Sequence, residues 1–266
     1  MFSPSTMIKD LGLLREKKPL VTNITNYVVT NSTANALLAI GASPIMTHAV
    51  EEVEDLVNIS NALVINLGTV ARTYLEAMPV AWAAANRKGI PVVLDPVGAG
   101  ASRVRTEQPV SMLSRYKPAI VRGNASEIMT LAGEAGAAKG VDSTMGASEA
   151  EIAAKVLAGV HKCAVVVSGE LDLVTDGDQV VRVAGGSPMM PLVTGLGCTA
   201  SALCGAFAAV SACPFEAAVH AMVAMKVAGE MAAERAQGPG TLQLHLYDAL
   251  YSMGAADIEK RMRVTA

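Results

Sequence analysis

Six short runs of apolar, mostly β-branched residues recur along this chain, with longer stretches of helical spacing between them. The runs are Leu20–Thr22, Pro44–Met46, Leu63–Asn66, Val92–Leu94, Ala119–Val121 and Ala164–Ser168. They are continuous rather than alternating, the pattern of parallel strands covered on both faces. Between them, Asn31–Ile40, Glu51–Ser60, Thr69–Lys88, Pro109–Arg115 and Ser148–His161 carry apolar residues at helical intervals. Gly41 and Gly89 stand where helix C-caps belong. After Ser168 the texture changes. Leu171–Thr175 and Val180–Val183 bracket Asp176-Gly177-Asp178, a hairpin signal. A glycine-rich loop follows, then helical runs Cys198–Cys213 and Phe215–Ala236, and helices to the end. Neither a repeat nor a linker interrupts the alternation. The expected fold is therefore α/β: one domain, 1–266, with a mostly parallel central sheet and helices on both faces.

Composition narrows the function classes. The chain is 52% hydrophobic but only 3% aromatic, so Ala, Val, Leu, Ile and Met must build the core. At 266 residues that core needs no disulfides. Cys163, Cys198, Cys204 and Cys213 form no C-x-x-C pair, which argues against zinc, and a reducing cytoplasm suits them. The net charge is −3 without a Lys/Arg cluster, and one Trp and three Phe offer few platforms for bases, so nucleic acid is not an expected partner. The charged stretch from Met1 to Lys18 lacks the apolar core of a signal peptide. The run Cys198–Cys213 stops at Pro214, and the next carries His220, Lys226 and Glu230, so both read as buried helices rather than membrane spans.

In open α/β sheets ligands gather beyond the carboxyl ends of the strands. Polar residues and glycines concentrate there: Asn23 after the first strand, Met46 closing the second, then Asn66-Leu67-Gly68, Asp95-Pro96-Val97-Gly98, Arg122-Gly123-Asn124 and Ser168-Gly169-Glu170. The stretch Val193-Thr194-Gly195-Leu196-Gly197-Cys198 adds the feature richest in chemistry. Two glycines let backbone N–H groups converge without Cβ obstruction. The helix that follows contributes unpaired donors and the positive end of its dipole. Together they suit an anion, above all a phosphate, with the Cys198 thiol at the lip.

Each of these residues also has a plainer reading. Gly195 to Ala200 fits the loose dinucleotide fingerprint, but that motif needs a second strand downstream, whereas Pro214 and another helical run follow. Cys198 fits a buried structural cysteine in a glycine turn. In Asn124-Ala125-Ser126-Glu127, Asn124 is a good N-cap and Glu127 a capping-box acid. With Arg122 two residues earlier, the same segment offers a cation for phosphate oxygens and a carboxylate for magnesium. Asp95 before Pro96 can close a turn, or share magnesium with Glu127 through water. A thiol at a helix N-terminus is a candidate general base; the helix lowers its pKa and a nearby phosphate raises it. Cys204 and Cys213 read as core packing. His48, His161, His220 and His245 are scattered, and no G-x-x-x-x-G-K-[ST] is present, which excludes a P-loop.

Taken together and in order, Val21-Thr22-Asn23, Gly41-Ala42-Ser43-Pro44-Ile45-Met46, Asn66-Leu67-Gly68-Thr69, Leu94-Asp95-Pro96-Val97, Arg122-Gly123-Asn124-Ala125-Ser126-Glu127-Ile128, Val167-Ser168-Gly169-Glu170 and Thr194-Gly195-Leu196-Gly197-Cys198 resemble the ribokinase-like superfamily, specifically the hydroxyethylthiazole kinases of thiamin biosynthesis and salvage. The resemblance implies ATP as cosubstrate and Mg²⁺ as cofactor. It implies phosphorylation of the primary alcohol of 4-methyl-5-(2-hydroxyethyl)thiazole, and a homotrimer with active sites between subunits. Carried over residue by residue, Arg122, Ser168, Thr194 and Gly197 serve ATP, Asp95 and Glu127 the metal, and Met46, Gly195, Asn23 and Gly68 the thiazole. Cys198 takes the position of the catalytic Asp of sugar kinases. Leu196 and Ser168 depart from the Thr common at both positions, and neither change removes a backbone N–H. The rival readings are a hydroxymethylpyrimidine kinase and a nucleotide sensor without catalysis.

Overall fold

A computed structural model describes residues 2–134 and 146–266. The strands are β1 (Leu20–Ile24), β2 (Ser43–Met46), β3 (Ala62–Asn66), β4 (Val92–Asp95), β5 (Ile120–Asn124), β6 (Ala164–Ser168), β7 (Asp172–Thr175), β8 (Val180–Ala184) and β9 (Arg263–Thr265). They form one sheet in the order β2-β1-β3-β4-β5-β6-β7-β8-β9. The pairings among β1 to β6 are parallel, and β7, β8 and β9 continue the sheet antiparallel. The six expected parallel strands and the hairpin are all present.

Helices cover both faces. The helices α1 (Pro4–Lys17), α2 (Thr30–Ile40), α8 (Leu196–Ala208), α9 (Pro214–Ala233), α10 (Pro239–Ser252) and α11 (Ala255–Arg261) enclose one apolar core. The other core lies under α3 (Val53–Ile59), α4 (Arg72–Lys88), α5 (Arg103–Leu113), α6 (Ala125–Glu134) and α7 (Gly146–His161). Pleating divides the strand residues between the two: Val64 and Val93 face the first core, Leu63, Ile65 and Leu94 the second. Gly41 and Gly89 end α2 and α4 in the left-handed region, as expected of C-caps.

Four boundaries differ from the sequence reading. Helix α1 was not anticipated; Met7, Leu11 and Leu14 are its buried stripe among charged neighbours. Strand β9 follows the last helix and pairs with β8, where only helices were expected. Helix α5 starts at Arg103, capped by the Ser102 hydroxyl, so Pro109 lies inside it rather than at its start. Helix α8 begins at Leu196 and ends at Ala208, short of Cys213. It is nearly all small residues, and it rides close on the sheet. A Cβ at Gly205 would come within 2.7 Å of Val64. That close approach sets the N-terminus of α8 over the carboxyl ends of the central strands.

Candidate active site

Gly195 caps α8 with φ 82°, the left-handed region that glycine occupies at little cost. It also lies against the buried Val29: a Cβ at this position would sit 2.1 Å from Val29 Cγ1. The first helical hydrogen bond runs from the Thr199 N–H to the Gly195 carbonyl, at 2.9 Å. The amides of Leu196, Gly197 and Cys198 precede it and belong to the donors that a helix leaves open at its start. Gly197 keeps a second space clear. A Cβ there would be 2.8 Å from Arg122 Nη1, so the guanidinium lies directly against the helix terminus.

Arg122, on β5, donates from Nη2 to Ser168 Oγ at 2.5 Å, and the Ser168 hydroxyl donates on to the Gly123 carbonyl at 3.2 Å. Its Nη1 is 3.9 Å from Asp95 Oδ2. Arg122, Ser168, Thr194, Gly195 and Gly197 all line one cavity of about 1020 Å³. The four residues expected to serve ATP are therefore brought together, and Gly195 with them.

Asp95 ends β4 and is fully buried. Its Oδ2 accepts from Asn66 Nδ2 and from Ser201 Oγ, each at 2.7 Å, while Oδ1 is buried without a hydrogen-bond partner. Burial pushes its pKa up from an ordinary 3.8 to about 6, against the lowering effect of Arg122 and the two hydrogen bonds. An orphaned buried carboxylate oxygen beside a phosphate cradle fits a hydrated magnesium, which takes one or two carboxylates and fills the rest of its shell with water and phosphate.

Glu127 fulfils the capping reading. Its Oε2 accepts from the Asn124 N–H at 2.8 Å, and Asn124 Oδ1 accepts from the Glu127 N–H at 2.9 Å. Its Oε1 accepts from the Gly98 N–H at 2.8 Å. The carboxylate thus ties the loop after β4 to the start of α6, and its charge still reaches Asp95. Among the described residues no group of three or more His, Cys, Asp or Glu converges as a metal cage. The metal reading of Asp95 and Glu127 is consequently one of carboxylates acting largely through water.

Cys198 is half-buried, and Asn26 Nδ2 lies 3.4 Å from its sulfur. Burial raises the thiol pKa, and the Asp95 charge raises it further, against Asn66, Asn26 and Arg122. Burial and the Asp95 charge both favour the thiol over the thiolate. The buried Cys204 is core packing as expected, whereas Cys213 is exposed at the N-cap of α9 and packs in no core.

Three residues of this network carried no assigned role in the sequence reading: Asn26, Asn66 and Ser201. Asn26 Nδ2 also donates to Asn66 Oδ1 at 2.9 Å, and that oxygen accepts the Gly68 N–H at 2.9 Å. Gly68 makes room for Asn26, since a Cβ there would be 2.4 Å from Nδ2. The expected thiazole residue Gly68 is in this way linked to Cys198 and Asp95. Asn23 and Met46 are register partners at the adjacent ends of β1 and β2. Asn23 turns inward: Nδ2 donates to the Val21 carbonyl and Oδ1 is buried without a partner. Ser201 was legible in principle, because it follows Cys198 by one helical turn.

A family model described as the hydroxyethylthiazole kinase family matches residues 11–256. The chain is 56% identical over 256 residues to a hydroxyethylthiazole kinase of Nitratidesulfovibrio vulgaris (strain DSM 19637 / Miyazaki F), covering 96% of each. It is 54% identical over 253 residues to a hydroxyethylthiazole kinase of Granulibacter bethesdensis, covering 95% of this chain and 92% of the relative. The solved hydroxyethylthiazole kinase of Pyrococcus horikoshii OT3 superposes with a TM-score of 0.92 at 41% identity over 98% of both chains. A Staphylococcus aureus pyridoxal kinase in complex with AMP-PCP superposes with a TM-score of 0.63 at 17% identity, over 80% of this chain and 88% of its own, a likeness of fold alone.

Proposed function

This chain belongs to the hydroxyethylthiazole kinase family, and on that premise we propose that it moves the terminal phosphoryl group of ATP to the primary hydroxyl of 4-methyl-5-(2-hydroxyethyl)thiazole, a step of thiamin biosynthesis and salvage. The observation that carries the reading is the meeting of the Arg122 guanidinium, the Asp95 carboxylate and the Cys198 thiol at the open amides of α8. ATP occupies the 1020 Å³ cavity, with its phosphates toward Arg122, Ser168 and the Thr194–Cys198 backbone. The thiazole lies on the far side of Cys198, by Asn23, Met46, Gly68 and Gly195.

The P–O bond to ADP breaks, a P–O bond to the alcohol forms, and the hydroxyl proton is released. The α8 amides and Arg122 meet the charge on the equatorial oxygens. Phosphoryl transfer depends mostly on positioning and electrostatics, and these groups supply both. Asp95 and Glu127 would hold Mg²⁺, which would offset phosphate charge. Cys198 points the acceptor hydroxyl. Cys198→Ala should lower kcat more than KM, by about 10 to 10²-fold, below the upper range of general-base effects. Cys198→Asp, which places a carboxylate of similar reach at the same point, should keep activity. Steady-state kinetics of both variants checks this.

The magnesium assignment has a pH signature. Asp95 has a raised folded-state pKa, so its contribution to stability is full below its ordinary 3.8 and is lost as pH rises through about 6. A cation that binds only the carboxylate offsets that loss. Mg²⁺ should therefore raise Tm at pH 8 and leave it unchanged at pH 5, as read by thermal scans with and without the metal.

Among the described residues no helix is long and apolar enough to cross a membrane. We read 1–266 as one cytoplasmic kinase domain. The exposed Tyr27 (64%) and Val28 (70%), in the loop after β1 beside Asn26, support a homotrimer that covers them. The function itself is tested by ADP release with hydroxyethylthiazole, with hydroxymethylpyrimidine and without acceptor. Turnover confined to the thiazole alcohol supports the proposal; preference for the pyrimidine, or no turnover with either, replaces it with a rival.

A further inference from the structure

Lys226 lies on α9 and is only 8% exposed. A lysine is rarely buried without a partner, and this one has three. Its Nζ donates to the carbonyls of Gly169 and Glu170, each at 2.9 Å, and stands 3.4 Å from Asp172 Oδ1. The three ammonium protons are thus spent inside the protein. Asp172, the first residue of β7, is 4% exposed, and its Oδ1 also accepts the Gly169 N–H at 2.9 Å. Lysine and aspartate together close the turn that follows Ser168, the hydroxyl that Arg122 grips. Gly186 makes space for the lysine stem, since a Cβ there would meet Lys226 Cδ at 3.2 Å.

The same cavity is lined by Lys226, Asp172, Ser168 and Arg122. Asp172 feels two cations, first Lys226 and then Arg122. A buried carboxylate stripped of its partner is costly and draws whatever charge can reach it. We propose that Lys226 is a positioning residue for nucleotide binding: it balances Asp172, fixes the turn after Ser168, and so leaves the Arg122 guanidinium free for the phosphates. The inference rests on the kinase reading, and it explains why a cation lining the nucleotide cavity makes all its contacts away from the phosphate cradle. Without Lys226, the Arg122 charge still reaches Asp172, and the guanidinium is drawn toward it and away from the α8 terminus.

The test is titration calorimetry of Mg²⁺-ADP with the wild-type chain, Lys226→Met, Asp172→Asn and the double variant. Lys226→Met should weaken ADP binding about tenfold, and the double variant should recover to within about threefold of wild type, a coupling of the size found between contacting charges. KM for the thiazole alcohol should not move in either. A lysine that serves only to hold the turn predicts the opposite, because the second substitution removes a further anchor. A double variant as weak as Lys226→Met, or a Lys226→Met that binds ADP like wild type, overturns the proposal. Should Lys226→Met not fold, Lys226→Arg decides: a retained cation should bind ADP within threefold of wild type, and a tenfold loss at unchanged Tm overturns the charge-balance role. Wild-type binding of ADP without phosphorylation of the thiazole would instead sink the kinase reading, and the calorimetric comparison would stand.

Discussion

Gly195→Ala is expected to remove nearly all phosphoryl transfer while the chain still folds. The added methyl would enter at 2.1 Å from Val29 Cγ1, and Val29 is buried and cannot swing into solvent. The backbone at φ 82° also disfavours any residue with a Cβ, by roughly 1–2 kcal/mol. The loop must then move, and the α8 amides move with it. Misplacing one preorganised donor costs about 10²–10³ in rate, and this change disturbs several at once, so kcat/KM should fall by about 10³-fold or more. Steady-state kinetics, with circular dichroism to confirm the fold, measures it. A variant that kept a tenth of wild-type activity would show that the amide geometry is dispensable.

Asp95→Asn should separate activity from stability. The substitution keeps the shape and an oxygen to accept from Asn66 and Ser201, but removes the charge beside Arg122 and the orphaned carboxylate oxygen. A metal carboxylate and an electrostatic partner of the phosphate cation are lost together, and kcat should fall by about 10²–10³-fold. Stability should respond differently. At pH 8 the native carboxylate is ionised against the unfavourable effect of full burial, and the amide does not bear that penalty. The variant's Tm at pH 8 should match or exceed wild type in the absence of Mg²⁺. A large fall in Tm with a modest fall in kcat would make Asp95 a structural residue.

The strands were legible because each is a continuous apolar run flanked by glycine or polar residues, and strand order then brought the polar ends into one place. Helix α1 escaped because the i, i+4, i+7 stripe of Met7, Leu11 and Leu14 is diluted by charge; it becomes visible only against the core it covers. Strand β9 is three residues long with one apolar side chain, and its strand character comes from β8 beside it. The site divides along the same line. Gly195, Gly197, Arg122 and Ser168 could be named from local chemistry, and Glu127 satisfies its capping role in the place where a metal role was also expected. The hydrogen bonds from Asn26 to Asn66 and Cys198 could not be read, since they depend on two loops, after β1 and β3, closing against the start of α8. Nor could the burial of Lys226: in the sequence it is a charge on an apolar helix, and only the turn carbonyls over it reveal a partner. Leu196, where the family resemblance leads one to expect Thr, leaves its N–H in the first turn of α8, so the departure costs the cradle a hydroxyl and no amide.

The most direct measurement is a crystal structure with Mg²⁺ and a non-hydrolysable ATP analogue. The terminal phosphate should accept hydrogen bonds from the amides at the start of α8, with the Arg122 guanidinium on one side and the Cys198 sulfur facing the acceptor. A terminal phosphate held elsewhere, with those amides turned to solvent, would contradict the account.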